Sequence, residues 1–218
     1  MQVYLVANPK GGAGKSTLST NLAGLLAWRG LSSGARVLLG DVDRQQSSRF
    51  WIERRPAELP KVESWLLDAG SKAVKPPRGT THVVLDTPAG LHGDRLKECI
   101  RMADRILVPV QPSMFDIMAT QDFFDELAHM KAARGIEVGL VGMRMHERTH
   151  AADEFHRYIE GTGLPLIGTL RDTQNYVHLA AHGMTLFDVT PSRVARDLEQ
   201  WVSIETWLGA TQLAPTLD

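Results

Sequence analysis

The stretch Asn8–Thr17, NPKGGAGKST, sets two lysines, Lys10 and Lys15, in a run of small residues. Gly11, Gly12, Ala13 and Gly14 let a backbone wrap closely around a ligand and turn its N–H groups inward. The helix expected to begin at Lys15, Ser16 and Thr17 adds partial positive charge at the same place. Such a loop suits a polyphosphate: the Lys15 ammonium reaches the β- and γ-phosphates, and the Ser16 hydroxyl sits on Mg²⁺. The common pattern GxxxxGK[ST] wants glycine at position 9, where this chain has Pro9; the run instead fits KGGxGK[ST], led by Lys10.

Two acidic segments follow, RVLLGDVDRQQSS (36–48) and VVLDTPAG (83–90). Each closes an apolar run that reads as a strand, and ligands of open α/β sheets bind at the carboxyl ends of strands. Asp41, Asp43 and Asp86 are therefore expected to converge on the glycine-rich loop, where a carboxylate holds Mg²⁺ through water or orients an attacking water. For Asp41 a second reading, a cap at its own strand end, stays open. A third polar run, His146-Glu147-Arg148-Thr149-His150, spells the zinc pattern HExxH. That pattern works only on one helical face, and here it begins at a strand exit, so it reads as a polar loop leading into a helix.

The elements that must position these residues are legible as a rhythm. Val3–Ala7, Arg36–Leu39, His82–Leu85, Ile106–Val110 and Val138–Met143 read as strands buried on both faces, with Leu166–Leu170 a shorter sixth. Between them Lys15–Arg29, Ser47–Arg55, Asp94–Ala103, Ala119–Arg134, Ala151–Glu160 and Tyr176–His182 have helical spacing, and Pro191-Ser192 opens a last segment, Arg193–Leu208. Lys72–Thr81 reads as an exposed loop. The β-then-α order predicts an α/β fold, one mostly parallel sheet with helices on both faces in a single domain over 1–218, and the glycine-rich loop between its first strand and first helix makes it resemble the P-loop NTPase fold.

Composition narrows the setting. A formal net charge of −1 means that any nucleic-acid surface must be local. A single cysteine, Cys99, rules out an internal disulfide and suits a reducing compartment. The start lacks the pattern of a secretion signal, and no window is apolar enough to span a bilayer, so the expectation is cytoplasmic.

Lys10–Thr17 resembles the deviant phosphate loop of the ParA/MinD group of ATPases, and the acidic segments resemble that group too. The resemblance implies ATP and Mg²⁺ as ligands and a homodimer in the ATP state. Lys15 would serve its own nucleotide, and Lys10 would reach across to the partner's. Lys10–Thr17 would bind the nucleotide, and Ser16, Asp43 and Asp86 would attend the metal. Asp43 matches the residue of the hydrolytic water, Asp86 the one closing the metal's outer shell, and Thr87–Gly90 the switch that senses the γ-phosphate. Where the group often has DxDPQ, Arg44 replaces the proline, and Gln45 keeps the glutamine. Pro112, Ser113 and Asp116 within Val108–Thr120 match a stretch near nucleotide and dimer interface, and Arg171 and Asp172 match a segment flanking the base.

Members of this group differ in what the dimer holds. The terminal segment has Val194, Leu198, Trp201, Val202 and Leu208 on one apolar face, but its polar side is too acidic for an anionic membrane. It is expected to dock on the core, with Trp207 off that face as a partner contact. Nonspecific DNA is the expected partner instead, held by arginines such as Arg144, Arg148, Arg157, Arg171, Arg193 and Arg196. The resemblance then implies a nucleoid-associated ATPase that positions a plasmid, chromosome region or cytoplasmic cargo, with slow hydrolysis stimulated by a ParB-like or small basic adaptor. The competing readings are a MinD-like membrane-positioning ATPase and a metabolic P-loop enzyme of the amide synthase or carboxylase type. An iron–sulfur carrier is disfavoured because a cluster bridging two subunits takes two cysteines from each.

Overall fold

Runs rich in Val, Leu and Ile that do not alternate with polar residues must be covered on both faces, which is the condition of a central parallel strand. A computed structural model describes residues 1–42, 47–66, 75–146 and 149–209. In it β1 (Gln2–Val6), β2 (Val37–Asp41), β3 (Val62–Leu66), β4 (His82–Asp86), β5 (Arg105–Val110), β6 (Glu137–Met145) and β7 (Leu166–Arg171) form one sheet. The strand order is β3-β2-β4-β1-β5-β6-β7, and every pairing is parallel. Register sets Val6 and Asp41 each opposite Asp86, so the carboxyl ends of three neighbouring strands meet at one rim.

Alternation along β1 divides the core. Tyr4 and Val6 face a cluster with Leu18, Leu22 and Leu25 of α1 (Lys15–Arg29), Trp51 of α2 (Ser47–Arg54) and Tyr176 of α6 (Gln174–Ala181). Val3 and Leu5 face the opposite cluster, with Leu96 of α3 (Gly93–Met102), Phe123 of α4 (Met114–His129) and Phe155 of α5 (His150–Thr162). Helices therefore lie on both faces, as expected. Each fully buried leucine of this kind contributes roughly 1.5–3 kcal/mol.

Three departures from the sequence expectation have local causes. The strand β3 is an addition to the expected set. It is an edge strand, paired only with β2, and its Glu63 stays half-buried in an ion pair with Arg36 (2.8 Å), so the run carries polar residues a central strand would lack. The helix α4 begins five residues before Ala119. Ser113 caps it: its hydroxyl accepts the Asp116 N–H at 3.2 Å and also meets the Asp116 carboxylate. The terminal segment is two short helices, α7 (Ala195–Glu199) and α8 (Val202–Leu208), docked on the core as expected. Its buried apolar side chains are Val194, Trp201, Ile204 and Leu208, whereas Val202 is exposed. Trp207 packs partly buried against the core, with the Arg105 guanidinium 5.3 Å from its ring centre.

Candidate functional site

The phosphate loop follows from β1 and is shaped by its glycines. Gly12 and Gly14 have φ of 77° and 97°, the left-handed region that other residues enter at a cost. A Cβ at Gly14 would lie 2.7 Å from the Met143 methyl near the end of β6, a flexible tip that can turn aside, so the positive φ is the stricter demand for glycine there. Asn8 anchors the loop's start, accepting the Lys10 N–H at 2.8 Å and donating to Pro109 O (2.9 Å) and Thr120 Oγ1 (3.1 Å). Gln111 donates to Gly12 O, and Gly90 N–H donates to Pro9 O at 2.8 Å, tying the loop after β4 to the loop after β1. Lys15 is buried, and its Nζ donates to Lys10 O at 2.8 Å. Lys10 is half-buried, and its ammonium has no hydrogen-bond partner among the described residues.

Beside this loop stands Asp86, wholly enclosed at the end of β4. Ser19 Oγ donates to one carboxylate oxygen at 3.1 Å and Ser48 Oγ to the other at 2.6 Å, and Ser16 is a third hydroxyl donor. Burial pushes this carboxyl up to about 6 despite the three hydroxyls, and the Asp41 charge pushes the same way. The oxygen donors of Ser16 and Asp86 suit a hard divalent cation, and a buried carboxylate whose charge is poorly compensated is the environment such a cation relieves. The residues present therefore fit Mg²⁺.

Asp41, open to two readings in the sequence, caps a helix other than its own strand's end. Its carboxylate accepts the backbone N–H groups of Ser48 (3.0 Å) and Arg49 (3.4 Å) at the start of α2. An anionic group at a helix N-terminus satisfies orphan donors and is favoured by the helix dipole. Ser48 thus joins Asp41 to Asp86, a link that sequence reasoning does not supply. Asp43, Arg44 and Gln45 lie outside the described residues.

The loop Thr87–Gly90 begins with Thr87 Oγ1 donating to Val6 O at 2.9 Å, both buried beside the phosphate loop. Arg171 and Asp172 sit at the carboxyl end of β7, three strands from β1. Arg171 Nε donates to the buried Asp197 carboxylate at 2.5 Å, a partner absent from the sequence reading, while exposed Asp172 lies 3.6 Å from His146 Nε2. Of the other arginines named for DNA, Arg144, Arg157, Arg193 and Arg196 are exposed, and Arg148 lies outside the described residues. The zinc-like spacing does not form one helical face. His146 precedes α5, Thr149 caps it by accepting the Ala152 N–H at 3.2 Å, and His150 is its first residue; Glu147 lies outside the described residues.

The model of the CobQ/CobB/MinD/ParA nucleotide-binding domain matches residues 4–186. The chain is 28% identical over 190 residues to the Maintenance of carboxysome distribution protein A of Halothiobacillus neapolitanus, covering 84% of this chain and 86% of that one. The protein of the same name from Gloeobacter kilaueensis is 34% identical over 125 residues, and that match spans only about half of each, 53% of this chain and 52% of the relative. Among solved structures, a variant of Cyanothece McdA in complex with ATP superposes with a TM-score of 0.71 at 18% identity, over 100% of this chain and 99% of that one. A Borrelia burgdorferi plasmid partition protein bound to AMPPNP gives 0.71 at 16% (95% and 98%), and the Aquifex aeolicus MinC:MinD complex 0.70 at 17% (96% of each). At those identities the structural likeness speaks for the fold. With the phosphate loop, the strand-end aspartates and the family match over most of its length, this chain belongs to the CobQ/CobB/MinD/ParA nucleotide-binding domain family.

Proposed function

We propose that this chain is a positioning ATPase of the ParA type, a homodimer when loaded with Mg-ATP, which holds nonspecific DNA and lets go after hydrolysis stimulated by a partner protein. The observation that carries the reading is the division between two lysines in one loop. Lys15 is buried and turned onto the loop's own backbone, where a triphosphate would take its ammonium, whereas Lys10 presents a cation without a described partner at the rim. A cation at the rim serves a second subunit's nucleotide, because two triphosphates packed face to face repel and each lysine supplied across the interface offsets that repulsion. Apolar surface beside the loop supports the same reading. Met114, Phe115 and Met118 are exposed on the first turns of α4, which Asn8 and Thr120 tie to the phosphate loop.

Ser16 and Asp86 would hold the metal, which when bound neutralises charge on the β- and γ-phosphates. Asp43 would orient the attacking water, and Thr87–Gly90, tied to Pro9, would register the γ-phosphate. The exposed Arg144, Arg157, Arg193 and Arg196 are the candidate phosphate contacts for DNA. Dimerisation doubles them, so that nucleotide state sets DNA affinity. The relatives named for carboxysome distribution and plasmid partition favour a cargo-positioning role. A membrane role is disfavoured because, among the described residues of the terminal segment, Trp201, Ile204 and Leu208 are packed into the core and Leu198 and Trp207 lie partly buried against it.

The test is DNA co-sedimentation with ATP, ADP and no nucleotide, alongside liposomes of anionic lipid. ATP-dependent DNA binding with loss at raised salt is the expected result. ATP-dependent binding to liposomes instead of DNA would reject the assignment in favour of the membrane type, and no response to ATP on either would reject both.

A further inference from the structure

Two polar side chains at the far end of the nucleotide rim converge on one buried carboxylate. Arg171, the last residue of β7, donates through Nε to Asp197 Oδ1 at 2.5 Å, and Asn175, in the first turn of α6, donates through Nδ2 to Oδ2 at 2.6 Å. Asp197 belongs to α7, 26 and 22 residues later in the chain, and its side chain is wholly buried. Two further bonds run between the same segments: Arg171 N–H donates to Gln200 Oε1 (2.9 Å), and Trp201 Nε1 donates to the Tyr176 hydroxyl (3.1 Å). The segment after β7 is thus fastened at four points to the C-terminal helices.

This arrangement exceeds what packing alone needs. A buried carboxylate must be desolvated, and apolar residues of similar volume often hold a fold as well or better. What the carboxylate supplies is orientation. It takes Arg171 by Nε, and the two terminal nitrogens of the guanidinium make no hydrogen bond among the described residues, although the side chain is about one-third exposed. A planar fork fixed at its stem is a ready donor to acceptors in one plane. It stands at the carboxyl rim of the sheet, where the phosphate loop also opens. Between β1 and β7 lie three strand spacings, about 14 Å, which separates the phosphate end of an extended nucleotide from its base end.

We propose that Asp197 is a positioning residue for base recognition: together with Asn175 it holds the Arg171 guanidinium against the purine ring of the bound nucleotide. The C-terminal segment becomes part of the nucleotide site without touching the ligand. This rests on the reading of Asn8–Thr17 as the site of a nucleoside triphosphate.

The test compares equilibrium binding of ATP and of inorganic tripolyphosphate, which lacks the base, to the full chain and to Asp197→Asn, Arg171→Ala and their double variant. Asp197→Asn is expected to weaken ATP about tenfold while leaving tripolyphosphate within about twofold. The double variant is expected to bind ATP no more weakly than Arg171→Ala alone, since the aspartate acts through the arginine. Unchanged ATP affinity in Asp197→Asn, parallel weakening of both ligands, or additive losses would each overturn the proposal. Should Asp197→Asn not fold, Gln200→Ala and Asn175→Ala each remove one fastening, and the absence of an ATP-selective loss in both would overturn it equally. A wild-type chain that binds neither ligand refutes the phosphate-loop reading itself, a result distinct from wild-type affinity in the variants.

Discussion

Replacing Asp86 by asparagine should make the nucleotide-free protein more stable at neutral pH and less able to use Mg-ATP. The carboxyl of Asp86 is raised from 3.8 to about 6, chiefly by burial. An unfolded chain releases this proton near 3.8 and the folded chain only near 6, so between those values the folded state binds more protons. Stability therefore falls as pH rises through that window, and the penalty is complete above it. A gap of about two units corresponds to about 3 kcal/mol. Asparagine is never charged, keeps one oxygen to accept from one serine hydroxyl, turns an NH2 to the other, whose oxygen can accept, and escapes the penalty. For a chain of this size each kcal/mol moves Tm by about 2–4 °C, so Asp86→Asn should melt on the order of 6–12 °C higher at about pH 7.5 and only about a third of that higher at about pH 4.5, where the unfolded carboxyl has begun to ionise. Thermal unfolding with chelator and no nucleotide, at several pH values, reads this directly. Equal stability at the higher pH, or the same offset at both pH values, would refute the argument that an uncompensated buried charge waits there for a cation. Adding Mg-ATP should then raise the Tm of wild type and not of the variant.

Lys15→Gln should abolish detectable triphosphate binding in an equilibrium assay, because the only buried ammonium of the loop is removed. Lys10→Ala should keep monomeric ATP affinity within a few-fold yet lose ATP-dependent dimerisation in size-exclusion or light-scattering runs, and a variant that still dimerises would contradict the role across the interface. Asp43→Ala should accumulate the ATP-bound dimer with little phosphate release, and unaltered turnover would reject its place beside the water. Arg55→Ala should cost about 3–5 kcal/mol in denaturant unfolding, since Arg55 and Asp188 form a 2.8 Å ion pair with both side chains almost fully buried.

Local chemistry makes the phosphate loop readable: glycines needed for positive φ and a lysine at a helix start are consecutive in the chain, so both the loop and the bounds of α1 can be placed without long-range information. Central strands are readable because burial on both faces leaves an uninterrupted apolar run. The edge strand β3 is hidden by the same logic, since one open side lets Glu63 and Ser64 into the run. The start of α4 is present in the sequence as Ser113 followed three residues later by Asp116, a cap pattern that apolar spacing alone passes over. What stays invisible are contacts across the sheet. Asp41 caps a helix seven residues on, Ser48 bridges it to Asp86, and Arg171 meets a carboxylate 26 residues away. Each depends on where the chain returns, which no periodicity encodes. Ile204 takes the place in the core expected for Val202 because α7 and α8 break at Gln200–Trp201, shifting the phase of a single-helix pattern.

The single thiol of the chain has a practical bearing on how all this can be watched. Cys99 is only 4% exposed, and burial pushes its thiol up to about 11, so in the native protein it offers almost no thiolate to an electrophile. Maleimide or disulfide reagents should pass the folded protein by and label it on unfolding. The wild-type background is thus silent to thiol chemistry, and a cysteine introduced on the rim near residue 10 would carry a fluorophore or a crosslinker as the one reactive sulfur, reporting on neighbours within its reach while Cys99 keeps a separate account of whether the core is intact.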